Sequence, residues 1–152
     1  MMNLNKEDYK ICIVGLGYVG TPLAARFSLK GFDVTGFDIK EERINQLLNK
    51  IDVNNDISET NLEILVNNSK LTSNVDQIKE CNIFIITVPT PINEDKTPNL
   101  EPLIASSNLI GSIITKGSIV IYESTVYPGV TDEICTPILE EKSKLIFNKE
   151  FS

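Results

Sequence analysis

Three glycines with the spacing G-x-G-x-x-G lie near the start of the chain, after the apolar, β-branched residues 11–14 and before a segment with helical apolar spacing. In such a strand–loop–helix unit the first glycine permits a tight turn, the second lets the backbone approach a pyrophosphate, and the third lets helix and strand pack closely. Free N–H groups at the start of the helix would then bind the phosphates. The pattern predicts a dinucleotide site formed by Gly15, Leu16, Gly17, Tyr18, Val19 and Gly20.

An acidic residue, Asp38, ends the second predicted strand, about twenty residues beyond the glycine loop. Its carboxylate can accept hydrogen bonds from the ribose hydroxyls of adenosine, cap the helix that begins near Lys40, or do both. At about 4 Å it would repel a 2′-phosphate by roughly 1 to 4 kcal/mol, which favours NAD over NADP. Lys40 and Arg43 argue the other way, because basic residues here can receive a 2′-phosphate, although both also suit exposed positions on an early helical turn.

Hydroxyl residues follow two further predicted strands. The apolar residues 82–88 end abruptly at Pro89-Thr90-Pro91, and residues 119–122 run into Glu123-Ser124-Thr125. Ligands of open α/β sheets bind beyond the carboxyl ends of the strands, so we expect Thr90 to contact the cofactor. The alternative is that Thr90 only stabilises a proline turn, and Thr125 only caps its own turn.

The alternation of strands and helices predicts an α/β fold, a Rossmann-like doubly wound parallel sheet with helices on both faces and strand order 3-2-1-4-5. Ser58 is expected to introduce the third helix, Thr131 or Asp132 to cap the last one, and Pro137 to shorten or kink it. The polar residues 50–70 are interpreted as a mainly solvated connection around that third helix. The predicted strands are 11–14, 34–37, 71–73, 82–88 and 119–122, and the predicted helices are 20–30, 41–49, 59–66, 102–115 and 131–143.

The bulk composition excludes several classes of function. With 152 residues and a net charge of −7, the chain is expected to be one domain that binds neither nucleic acid nor an anionic membrane. Residues 1–10 are polar and no apolar run is long enough for a membrane span, which predicts a cytoplasmic protein. Histidine is absent, which excludes a Ser-His-Asp triad and a histidine-based metal site. The three cysteines lack metal or redox spacing and are expected to be reduced and structural, so no metal is predicted.

Three motifs in order resemble one known family: residues 11–24, residues 88–92 and residues 122–129. Together they resemble the N-terminal NAD-binding domain of the UDP-glucose/GDP-mannose 6-dehydrogenase family, over almost the whole chain. The form of the second and third motifs is most similar to the branch that acts on UDP-N-acetylhexosamines, such as UDP-N-acetylglucosamine or UDP-N-acetylgalactosamine.

The resemblance implies a two-step oxidation of the sugar C6 hydroxyl to a carboxylate, with two NAD reduced and no release of the aldehyde. By matching motifs it implies that residues 15–20 hold the pyrophosphate and that Asp38 and Arg43 hold the adenosine end. It further assigns Pro89 and Thr90 to the middle of the cofactor and Ser124 and Thr125 to the nicotinamide side. Thr125 matches the family threonine that positions water and substrate, and is therefore the one catalytic candidate.

The family also has parts that this sequence lacks. Its sixth strand leads into a Ser-Pro-Glu loop, and a linking helix and C-terminal domain bring a lysine, an asparagine and the cysteine nucleophile. We therefore expect residues 1–152 to be a Rossmann domain truncated before its last strand, inactive alone, with a UDP-sugar site completed by the C-terminal domain of a homodimeric or larger protein. The alternatives are the cofactor domain of a 3-hydroxyacid-type dehydrogenase, against which residues 123–129 argue, and a non-catalytic NAD-binding module.

Overall fold

The computed structural model describes residues 6–152, which form a five-stranded, entirely parallel sheet in the order β3-β2-β1-β4-β5. This order confirms the prediction, and strand order reverses beside β1, where β4 lies on its other side. Part of the N-terminal segment interpreted as a polar, non-signal sequence lies outside the described residues. The strands are β1 Lys10–Val14, β2 Asp33–Phe37, β3 Lys70–Thr72, β4 Ile83–Ile86 and β5 Ile119–Tyr122.

Helices cover both faces of the sheet, as predicted. Alternate residues of β1 point to opposite sides: Ile11 and Ile13 pack with the first three helices, whereas Cys12 and Val14 pack with the last two. Burial on both faces explains why the central strands are almost continuously apolar. The helices are α1 Gly20–Leu29, α2 Glu41–Leu48, α3 Glu59–Asn68, α4 Glu101–Gly111 and α5 Thr136–Ser143.

Two predicted elements are shorter than expected. β4 ends at Ile86 rather than at residue 88, and the hydroxyl of the next residue, Thr87, donates to the Gly15 carbonyl at 2.6 Å. α4 ends at Gly111 rather than near residue 115, and the Ser112 hydroxyl bonds back to the Leu109 carbonyl at 2.6 Å. Ser58 introduces α3 as predicted, accepting a hydrogen bond from the Asn61 N–H at 3.3 Å.

The last helix differs from the prediction at its start. Thr131–Cys135 form a π-helical turn, which continues into α5. Pro137, which has no N–H to bond the carbonyl of residue 133, lies in the first turn of α5, and the α-helical part is shorter than predicted. The predicted cap by Thr131 or Asp132 is wrong, because the helical turn begins after Val130 and has no side-chain cap.

The three cysteines agree with the structural interpretation: Cys12, Cys81 and Cys135 are buried free thiols. Within the described part of the chain, no helix combines the length and the hydropathy that a membrane span requires. Phe151 and Ser152 run beside β5, where the Val120 N–H donates to the Ser152 carbonyl at 2.7 Å.

Candidate functional site

A cleft of about 620 Å³ opens at the carboxyl ends of the central strands. One wall is the glycine loop, another is the end of β2 with the start of α2, and the third is α4, which contributes Pro102, Ala105, Ser106 and Leu109. This is the sheet edge at which the sequence analysis placed the cofactor. Of the predicted site residues, the cleft brings together Gly15, Leu16, Gly17, Asp38, Arg43 and Pro89.

The glycine loop has the geometry that its spacing predicts. Gly15 has a φ of +97°, a left-handed conformation that favours glycine, and its N–H donates to the Phe37 carbonyl at 2.8 Å. A Cβ atom on Gly20 would overlap the Gly15 carbonyl oxygen and lie 2.5 Å from the Thr87 hydroxyl, so the start of α1 needs a glycine there. A Cβ atom on Gly17 would meet no protein atom within 4 Å. The first and third glycines are therefore required by the fold, and the second is not.

Leu16 anchors the loop between these glycines. Its side chain is buried, its N–H donates to Asp38 Oδ2 at 2.8 Å, and its carbonyl accepts from the Thr21 hydroxyl at 2.7 Å. Because both backbone groups are already used, Leu16 can line the cleft but cannot donate its N–H to a ligand.

The next four backbone N–H groups are different. Across residues 6–152, no acceptor is bonded to the N–H of Gly17, Tyr18, Val19 or Gly20. These groups lie at the N-terminus of α1, where the helix dipole also favours negative charge. Adjacent free donors beside a glycine with open space around it can bind a pyrophosphate, so the residues present fit a dinucleotide. The side chains of Tyr18 and Val19 are exposed.

The Asp38 carboxylate links the glycine loop to the turn before α2. Oδ2 accepts the Leu16 N–H, and Oδ1 accepts the Lys40 N–H at 2.9 Å. The N-cap residue of α2 is Lys40, so the alternative that Asp38 caps this helix is wrong. The carboxylate instead stabilises the turn before the helix. Each oxygen keeps a further lone pair, which leaves Asp38 able to accept a ribose hydroxyl.

Arg43 is buried, so the alternative that it only occupies an exposed position on the first turn of α2 is wrong. Its side chain is 9% exposed, with Nε donating to the Leu16 carbonyl at 2.8 Å and Nη2 donating to Asp52 Oδ1 at 2.9 Å. The same Nη2 lies 3.2 Å from the Thr21 hydroxyl and 4.0 Å from Asp56 Oδ2. Nη1 is buried and finds no hydrogen-bond partner among the described residues. Lys40, in contrast, is exposed as expected.

Asp52 is a functional candidate that sequence reasoning missed. It lies in the segment interpreted as a solvated connection, yet its side chain is only 5% exposed. Burial by itself would raise the pKa of Asp52, but hydrogen bonds from Arg43 and from the N–H groups of Ile57 and Asp56 outweigh it and hold the pKa below its usual value. No local pattern marks this residue, because its partner is brought to it by the path of the loop.

This lowered pKa predicts an acid-sensitive contribution to stability. Because folding favours the ionised carboxylate, Asp52 stabilises the fold above its unfolded pKa of about 4, and the contribution is lost as pH falls towards and through the lower folded value. The difference in unfolding free energy between the wild type and Asp52→Asn should therefore be constant from pH 7 to 5 and narrow below about pH 4. Urea unfolding followed by circular dichroism measures this difference, and a gap that stays constant down to pH 3 would contradict the prediction.

The hydroxyl residues of the other two motifs form a second group, beside the cleft rather than in its lining. The Thr90 hydroxyl donates to the Thr125 carbonyl at 2.9 Å, and the two threonine hydroxyls are 3.5 Å apart. The Ser124 hydroxyl donates to the Val88 carbonyl at 2.6 Å. The loops after β4 and β5 are thus tied together, which the sequence could not show, and Thr125 remains exposed.

Thr87 was also missed. It is buried, and its hydroxyl lies against the carbonyls of Val14 and Gly15 at 3.1 and 2.6 Å, so it supports the glycine loop from the neighbouring strand. A threonine that ends an apolar strand beside β1 is the signal that could have identified it. No group of three or more His, Cys, Asp or Glu side chains suited to a metal ion occurs among residues 6–152.

Comparison with known proteins agrees with this geometry. The profile of the "UDP-glucose/GDP-mannose dehydrogenase family, NAD binding domain" matches residues 9–152. The chain is 50% identical over 145 residues to a UDP-N-acetyl-D-glucosamine 6-dehydrogenase of Salmonella typhi and 48% identical to one of Pseudomonas aeruginosa, in each case over 95% of this chain and 34% of the relative. A solved UDP-D-ManNAc dehydrogenase from Pyrococcus horikoshii superposes with a TM-score of 0.84 at 33% identity, over 93% of this chain and 34% of that one. The chain therefore spans about a third of the length of these relatives.

Proposed function

The chain belongs to the UDP-glucose/GDP-mannose dehydrogenase family as its NAD-binding domain, and from this premise we propose that it is the cofactor-holding part of a UDP-N-acetylhexosamine 6-dehydrogenase. The enzyme would oxidise the C6 hydroxyl of UDP-N-acetylglucosamine or UDP-N-acetylgalactosamine to a carboxylate. Identity of about half to the Salmonella typhi and Pseudomonas aeruginosa proteins supports this sugar class. The family match also favours it over a 3-hydroxyacid dehydrogenase.

The observation that carries the proposal is the row of free N–H groups from Gly17 to Gly20 at the N-terminus of α1. These donors would bind the pyrophosphate of the cofactor, and they lie beside the cleft that Gly17 and Asp38 line. Asp38 would accept the ribose hydroxyls of the adenosine. The unpartnered Nη1 of Arg43 supports a contact from that residue to the same end of the cofactor.

When bound, NAD supplies the hydride acceptor of the reaction. Each C6 alcohol would lose two hydrides in two steps, a water oxygen would enter the carboxylate, and the remaining protons would pass to solvent. Pro89 and Thr90 would contact the middle of the cofactor, and Ser124 would contact its nicotinamide side.

Thr125 is proposed to orient water and substrate near C6. It is exposed in the loop that follows β5, and its backbone carbonyl accepts a hydrogen bond from the Thr90 hydroxyl. These contacts support the assignment because they leave the Thr125 hydroxyl at the surface while restricting the backbone that carries it. A C-terminal domain would supply the cysteine nucleophile and the rest of the sugar site, and the full protein would be a homodimer or a larger assembly.

The stoichiometry of NADH formation tests this proposal. We expect the full-length protein to form about two NADH per molecule of UDP-N-acetylglucosamine or UDP-N-acetylgalactosamine and little from UDP-glucose, because an alcohol becomes an acid through a retained intermediate. The 152-residue chain alone should bind NAD but should form no NADH from any of these sugars. One NADH per sugar, or turnover by the isolated chain, would contradict the proposal.

A further inference from the structure

Arg43 is part of a buried ion-pair cluster. Its position just beyond β2 would otherwise suit the 2′-phosphate of NADP. Nη2 of Arg43 donates to Asp52 Oδ1 at 2.9 Å and lies 4.0 Å from Asp56 Oδ2. The three side chains are 9%, 5% and 13% exposed. One cation thus faces two carboxylates that are largely removed from water.

We propose that Asp52, together with Asp56, makes this domain selective for NAD over NADP by holding the charge of Arg43 in this cluster. The inference rests on the proposed function, because it takes the cleft beside Asp38 to bind the adenosine end of a nicotinamide cofactor. Asp52 is then a specificity-determining residue that acts through Arg43 without touching the cofactor.

The charge balance of the cleft explains the selectivity. Among the residues that line it, Asp38 and Glu42 offset Lys40 and Arg43. Asp52 and Asp56, in contact with Arg43, make the whole group negative. The pyrophosphate is common to both cofactors and is bound by backbone N–H groups, whereas the 2′-phosphate adds about two negative charges that only NADP carries. The additional repulsion, that of the 2′-phosphate, therefore acts only on NADP.

Asp52 is held in place independently of Arg43. Its Oδ2 accepts the N–H groups of Asp56 and Ile57 at 2.7 and 3.2 Å. An asparagine can keep its carbonyl oxygen on these donors, so Asp52→Asn removes the charge while preserving the shape of the loop. Arg43 then faces one carboxylate, that of Asp56, instead of two, so its positive charge beside the cleft is less fully balanced.

Calorimetric dissociation constants for NAD and NADP test the proposal on the 152-residue chain. In Asp52→Asn the ratio of the NADP constant to the NAD constant should fall by about tenfold, as expected for one charge removed near the phosphate. Asp56→Asn should lower it less, because Asp56 is farther from Nη2. Glu80→Gln is the control, because it makes the same change in net charge at the amino ends of the central strands, where Glu80 pairs with Lys10. It should leave the ratio unchanged.

A merely structural role would raise both dissociation constants equally, and an unchanged ratio in Asp52→Asn would overturn the proposal. If Asp52→Asn does not fold, Asp56→Asn decides, because it leaves the 2.9 Å pair intact. A wild-type chain that binds neither cofactor overturns the proposed function together with this inference. If the wild-type chain binds NAD and the variants keep its preference for NAD over NADP, only the inference is overturned and the proposed function stands.

Discussion

Replacing Gly17 with alanine should leave the chain folded and weaken NAD binding by at least about 100-fold. The added methyl group meets no protein atom within 4 Å, so the fold has room for it. It would instead enter the space where the pyrophosphate must approach the N–H groups of residues 17–20. Each hydrogen bond to a charged group contributes roughly 1.5 to 3 kcal/mol, and the loss of two of them accounts for the expected factor.

Two measurements on the same protein check this expectation. Calorimetry gives the dissociation constant for NAD, and thermal unfolding without ligand should give a midpoint close to that of the wild type. An alanine variant that binds NAD normally would show that the pyrophosphate does not approach the loop at Gly17. A variant that is unfolded would show that Gly17 has a structural role after all.

Replacing Gly20 with alanine should have the opposite outcome and destabilise the fold by more than about 4 kcal/mol, an exceptionally large loss for one substitution, of the kind that overpacking of a site without room produces. The new Cβ atom would overlap the Gly15 carbonyl oxygen and press on the Thr87 hydroxyl at 2.5 Å. Neither neighbour can move easily. The N–H of Gly15 is bonded to β2, and Thr87 is bonded through its own N–H to the Val14 carbonyl at 2.9 Å.

Urea unfolding of the Gly20→Ala variant measures this loss, with Gly17→Ala as the matched control, because both add one methyl group to the same loop. A free energy of unfolding within about 1 kcal/mol of the wild type would contradict the packing argument, since that is the cost of an ordinary substitution. Within one motif, Gly20→Ala thus tests which glycine the fold requires, and Gly17→Ala tests which glycine NAD binding requires.

The wall of the cleft opposite the glycine loop shows the limit of sequence patterns. Pro102 was expected in the first turn of a helix, and α4 does begin at Glu101. The helical period, however, does not say that Ala105, Ser106 and Leu109 face the cofactor cleft. That depends on how α4 packs against β4 and α5, which involves residues distant in sequence.

The sequence by itself determined the sheet, its strand order, the glycine loop and the position of Asp38. These features depend on local chemistry: a left-handed turn needs Gly15, a strand buried on both faces must be apolar, and a crossover between parallel strands is right-handed. The tertiary structure alone decided which N–H groups of the loop remain free, and that Arg43 is buried against Asp52. The loop between α2 and α3 turns through Lys50 and Asn55, both with positive φ, and brings Asp52 to Arg43, which bonds the Leu16 carbonyl of the glycine loop. An ion pair made by such a path has no periodicity, so no spacing in the sequence could predict it.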